Sequence, residues 1–257
     1  MRANKTLLCA ALLCMGVMTQ ASAATAIPDY IKAAVADASR PERDVQRDVN
    51  RKPAEVLTFA GVKPGDKVGE LLPGGGYFTK LFCKIVGNAG QVHTLRILPA
   101  SPNVAPPPDA GGMAAAPAPA GTPCANIKAE EKTAAEMQLP AGLDLVWTSE
   151  NYHDLYNTRL GVQDMVKFNK VVFDALKPGG VYLVEDHAAQ TGSGSRDTST
   201  LHRIDAEQVR KDVTAAGFVL EASSDVLHNP ADKLDVRVQE LGGKSSKFLL
   251  KFRKPVR

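Results

Sequence analysis

The sequence predicts an α/β fold built on a doubly wound, mostly parallel sheet, with helices on both faces and an antiparallel C-terminal strand. Three observations predict it. A strand, a glycine turn and a helix start follow directly on one another in Lys67–Val86 (KVGELLPGGGYFTKLFCKIV). Short apolar runs alternate with segments of helical spacing along the rest of the chain, as βαβ units require. Two strand-like runs lie close together near the end, which implies an antiparallel finish.

The leader comes first. Arg2 and Lys5 precede an apolar run, Leu7–Met18, and Ala21-Ser22-Ala23 reads as a cleavage site. Residues 1–23 are therefore expected to be a secretory signal, cleaved after Ala23, and the protein to be periplasmic or secreted. Cys9 and Cys14 each follow Leu where a lipid-anchoring signal wants a small residue. No other stretch resembles a membrane span, so no stable membrane insertion is expected.

The segment 24–60 is expected to be helical. Ile31, Ala34 and Val35 give Pro28–Ser39 an apolar side. Arg40–Lys52 mixes both charge signs as a solvated face does. Pro53 opens a further helix through Ala60. The main domain spans 61–257. In it, Gln91–Leu95, Leu143–Thr148, Val181–Glu185, Phe218–Val226 and Lys247–Arg253 read as strands. Ala125–Gln138 has helical composition, and Gly161–Leu176 and Asp205–Ala216 have helical spacing, the last with an Asp cap. Residues 99–123 hold eight of the 17 prolines and read as a Pro/Ala/Gly-rich surface insert.

Composition excludes some partners. The chain has 257 residues and a net charge of +3, two units of which belong to the leader. That balance gives no electrostatic case for nucleic acid. Cys83 and Cys124 remain beyond the leader; free buried thiols are the default reading and a bridge the alternative.

The candidate site follows from topology. In doubly wound sheets, ligands bind beyond the carboxyl ends of the strands, at the switch point. The glycine turn and the segments after Thr148 and Val184 share that edge. Gly74, Gly75 and Gly76 permit turns and close approaches that side chains block, and the helix beginning at Tyr77 directs its positive end there.

At this point the chain resembles the class I S-adenosylmethionine-dependent methyltransferases, whose fold is Rossmann-like. Glu70, Gly74 and Gly76 match the family's acidic-x-Gly-x-Gly-x-Gly pattern, with Leu72 in place of its first Gly. Leu176-Lys177-Pro178-Gly179-Gly180 followed by VYLVEDH looks like its turn into the fifth strand. More narrowly, PGGGYFT, NYHDLYN at 151–157, HRID at 202–205, AGF at 216–218 and NPAD at 229–232 resemble a group of predicted bacterial methyltransferases with exported members. The resemblance implies S-adenosylmethionine as cofactor, held by Glu70, Gly74, Gly75, Gly76, Tyr77 and Tyr152. It also implies a methyl acceptor that is a small molecule or an envelope component. The positions matching the family's ribose-binding acid are near Thr94, Leu95 and Arg96, and none is acidic.

Methyl transfer needs alignment and, for some acceptors, a base. His153 and Asp154 follow the fourth strand and are the catalytic candidates, since a histidine titrates near neutrality; a local helix cap is the bland alternative. Asp154, Asp186, His187 and His202 are potential N and O ligands, yet they lack tight ligand spacing, so no metal is expected. Gln190–Thr200 reads as a mobile loop suited to a lid. Two other functions compete: a non-catalytic small-molecule binder on the same fold, and a nicotinamide-dependent oxidoreductase with Arg96 facing a 2′-phosphate. Thr79 stands where the latter's third glycine belongs.

Overall fold

The computed structural model describes residues 26–101 and 124–256; the leader and most of the insert lie outside them. Seven strands form one sheet in the order β3-β2-β1-β4-β5-β7-β6. They are β1 (Lys67–Leu71), β2 (Gln91–Leu98), β3 (Ile127–Thr133), β4 (Leu143–Ser149), β5 (Leu176–His187), β6 (Val219–Ser224) and β7 (Lys247–Arg253). Neighbours from β3 to β5 are parallel, while β7 runs antiparallel to both β5 and β6. The expected doubly wound sheet with a reversed C-terminal strand is thus present.

The period of two in the central strands feeds two cores. In β4, Leu145 and Trp147 pack on one side with Val68, Phe82 and Leu183. Val146 packs on the other with Leu71, Tyr182 and Val184. Helices α1 (Asp29–Val35), α4 (Pro53–Ala60) and α5 (Tyr77–Val86) cover the first side, and α6 (Met165–Ala175) and α7 (Ala206–Ala215) the second. Two short helices, α2 (Glu42–Val45) and α3 (Asp48–Arg51), fill the charged 40–52 stretch. Among the described residues, no helix is long and apolar enough to cross a membrane.

Helix α5 forms because Phe78, Leu81, Phe82 and Ile85 recur at helical spacing, and all four are buried. Phe78 and Phe82 meet Trp147 at ring-centroid distances of 4.6 and 5.2 Å. A fully buried side chain of this size contributes about 1.5–3 kcal/mol, which fixes the helix against the sheet and with it the turn at its start. Asp205 caps α7 by accepting from Glu207 N, as expected. Asp164 caps α6 by accepting from the Val166 and Lys167 amides, so this helix begins four residues later than its apolar spacing suggests.

Two expectations are corrected. Ala125–Gln138 is a strand and a 3₁₀ turn (Ala134–Glu136). Among the described residues β3 pairs only with β2, in continuous register from Val92↔Ile127 to Leu98↔Thr133; the edge lets its charged side chains stay in water while the backbone bonds to the sheet. The two cysteines are bonded, Cys83 on α5 to Cys124 just before β3.

Candidate active site

The carboxyl ends of β1, β4 and β5 meet where the sheet order reverses. β1 leaves the sheet through Leu72 and β4 through Glu150, and both take left-handed backbone, φ 52° and 58°. Left-handed non-glycine residues are uncommon and need enforcement from their surroundings. Part of it comes from Asn151, whose amide nitrogen donates to Leu72 O at 2.8 Å and to Ser149 O at 2.6 Å. That side chain ties the two strand ends together.

The glycine turn sits beside this tie. Gly74 and Gly76 have φ 53° and 73°, so each needs the freedom only glycine has at low cost. The Gly76 amide bonds back to Pro73 O at 2.9 Å, closing the turn. At Gly75 an added Cβ would meet nothing within 4 Å. The turn is therefore open to solvent at its apex, with room for a ligand to lie against the backbone.

Glu70 is buried and accepts from Thr79 Oγ1 at 2.5 Å. It joins the end of β1 to α5 and so braces the turn from within. Burial pushes its carboxyl up to about 8, against the opposing pull of the Thr79 bond and Lys80. Lys80 is buried too and reaches Asp44 at 2.7 Å and Gly75 O at 3.2 Å.

The two tyrosines named with the turn are both buried. Tyr77 is buried, and its hydroxyl donates to Asp48. Its ring is flanked by the Arg51, Arg47 and Arg40 guanidiniums, 4.7, 5.4 and 5.6 Å from the centroid. Tyr77 holds the N-terminal helices onto the turn. Tyr152 is fully buried in the second core, its hydroxyl accepting from Asn169 at 2.8 Å.

His153 and Asp154 open a 3₁₀ turn, His153–Tyr156, directly after β4. Asp186, at the end of β5, fixes His153 twice: through its backbone amide at 2.7 Å and through Nδ1 at 2.8 Å. The other ring nitrogen, Nε2, lies 3.3 Å from His202 Nδ1 and 3.4 Å from Asp154 Oδ1. Burial would lower the His153 pKa, but Asp186 and Asp154 outweigh it and raise it to about 9. His187 lies 5.8 Å away ring to ring and is pushed down to about 4, chiefly by burial; its Nδ1 meets Ser245 Oγ at 2.8 Å.

A second charged group lies behind them. Glu150 pairs with Arg51 and with Lys247 at 3.4 Å. Burial works against its charge, yet Arg51, His187 and Lys247 hold it well below the ordinary range. Glu185 beside it is fully buried and shifts upward, through burial and then the Glu150 charge.

The sequence brought His153 and Asp154 to the site and grouped Asp154 with Asp186, His187 and His202 as potential ligands, but no ligand spacing joined His202 to His153, 49 residues away. The link is made by Arg203, whose guanidinium is buried against Asp232. Gln190–Thr200, expected to be a mobile loop, is a run of turns; Gly192 N donates to Asp205 Oδ2 at 2.7 Å, and Asp197 and Thr198 are buried. Arg96 is engaged by Glu131 of β3, at 2.9 Å from Nε.

No protein-family model matches the chain, and no curated protein matches its sequence. Solved structures match its fold. A SAM-dependent methyltransferase from Aquifex aeolicus aligns at TM-score 0.55 with 16% identity, over 88% of this chain and 97% of that one. An arsenic(III) S-adenosylmethionine methyltransferase from Chlamydomonas reinhardtii aligns at 0.51 with 16% identity, over 90% and 74%. The [4+2]-cyclase SpnF aligns at 0.54 with 17% identity, over 83% and 82%. The chain has the class I methyltransferase fold, one that also carries the name of a cyclase, so chemistry must be argued from the site.

Proposed function

We propose that the chain is an S-adenosylmethionine-dependent methyltransferase acting on a small-molecule or envelope acceptor. The observation that carries this reading is the glycine turn at the switch point, braced from behind by Glu70 and Thr79 and open at Gly75. Gly74–Gly76 would hold the cofactor, with Glu70 supporting them from the interior. When bound, the cofactor supplies an activated methyl on a sulfonium.

The remaining work falls to this chain's own residues. Asn151 and the left-handed Leu72 and Glu150 fix the floor between β1 and β4. His153 and Asp154 stand at the end of β4, where an acceptor would approach. Asp186 orients the His153 ring through Nδ1 and so sets Nε2 beside Asp154 and His202. Export is part of the proposal: the leader motivates it, and a disulfide fits an oxidising compartment.

A second reading, a non-catalytic binder of small molecules, is favoured by β2. It offers no acid for a ribose, and its Arg96 is engaged by Glu131. Calorimetry of the mature chain with S-adenosylmethionine and S-adenosylhomocysteine tests the first reading; no heat at near-millimolar ligand counts against it. Radiolabelled methyl transfer into envelope extract would eliminate the second.

A further inference from the structure

We propose that His153, Asp154 and His202 form a site for a divalent first-row transition metal, zinc above all. Their ligand atoms converge: His153 Nε2 to His202 Nδ1 is 3.3 Å, His153 Nε2 to Asp154 Oδ1 is 3.4 Å, and His202 Nδ1 to Asp154 Oδ1 is 3.8 Å. Zinc bonds of about 2.1 Å in a tetrahedron put neighbouring ligand atoms about 3.4 Å apart. The three atoms thus already form close to one face of such a tetrahedron. Two imidazoles and one carboxylate suit zinc and its neighbours better than magnesium or calcium, which want oxygen. Three protein ligands also leave a fourth position open, as sites that engage a substrate do.

The surroundings support the ligands as metal sites require. His153 is 3% exposed, and its Nδ1 is engaged by Asp186, the carboxylate–histidine arrangement that fixes tautomer and ring orientation. His202 holds a left-handed backbone, φ 55°, and its neighbour Arg203 is locked to Asp232. One feature opposes the ion. Arg237 reaches His202 Nε2 at 3.4 Å, a cation beside a ligand ring, and as an exposed side chain it must turn aside when metal binds.

The inference does not rest on methyl transfer, because metal uptake is measured without any cofactor. Untagged mature protein is dialysed against Zn²⁺ and, separately, Co²⁺ or Mg²⁺, with bound metal counted by mass spectrometry and the cobalt form read by its visible spectrum. We expect one zinc per chain, a four-coordinate cobalt spectrum, and no competition from magnesium. His202→Gly, which suits the left-handed backbone and so keeps the fold, should weaken zinc binding at least tenfold, as should Asp154→Asn. Arg237→Gln should tighten it. Uptake well below one ion per chain, or an affinity that none of the three variants changes, would overturn the proposal.

Discussion

Arg203 and Asp232 form a two-pronged ion pair, both contacts at 2.9 Å, and both side chains are shut away from solvent. Arg203 also donates to Val236 O and Ala188 O, at 3.0 and 2.9 Å, and Asp232 accepts from the Ser246 amide at 2.6 Å. One pair therefore gathers the end of β5, the segment before α7 and the approach to β7. Removing one partner leaves a buried charge alone, so Arg203→Met should destabilise the protein by about 3–5 kcal/mol. The double variant with Asp232→Leu should lose clearly less. Urea denaturation of the three proteins checks this; equal losses for single and double variants would contradict it.

The glycine turn separates stability from binding. Gly75→Ala adds a methyl that meets nothing within 4 Å among the described residues, so stability should stay within about 0.5 kcal/mol of the parent. If ligand lies against this backbone, the heat of S-adenosylhomocysteine binding should fall sharply. Gly76→Ala, at φ 73°, should instead cost about 1–2 kcal/mol of stability. Thermal unfolding and calorimetry on the two variants distinguish the effects.

Glu70 makes stability fall with pH. Burial raises its pKa from the ordinary 4.5 to about 8, so the folded chain keeps a proton that the unfolded chain releases. This contribution is complete below about pH 4.5 and is lost as pH rises through about 8. Glu185 and His153 also shift upward, so the comparison must be with Glu70→Gln. That variant should show a flatter decline between about pH 5 and pH 9; parallel curves would show that Glu70 does not titrate there.

The Cys83–Cys124 bond spans a sequence separation of 41. On a chain-entropy basis, such a loop is worth about 3–4 kcal/mol. Guanidinium unfolding with and without reductant should differ by roughly that much, and Cys83→Ala with Cys124→Ala should match the reduced protein.

The central strands, the helix after the glycine turn and the reversed last strand were legible because burial on both faces imposes apolar runs of strand or helix length. β3 was not. Its Lys128, Glu130, Glu131 and Lys132 have the composition of a solvated helix, and only pairing with β2 makes the segment a strand. His153 and Asp154 were readable from their place after β4. His202 was readable as a potential ligand beside Asp154 but not as a neighbour of His153, because a contact across 49 residues depends on Arg203 and Asp232, whose partnership no local pattern announces. The cysteines likewise gave no local signal; they meet because α5 and the start of β3 flank the same strand, β2.

The bridge also has a topological effect. It closes the chain between α5 and β3 into a covalent ring that includes residues 102–123. A protease that cuts once inside this ring breaks a peptide bond without parting the molecule. The nicked protein would migrate intact on a denaturing gel and fall into two pieces only after reduction, so trimming of this segment is compatible with an undivided sheet.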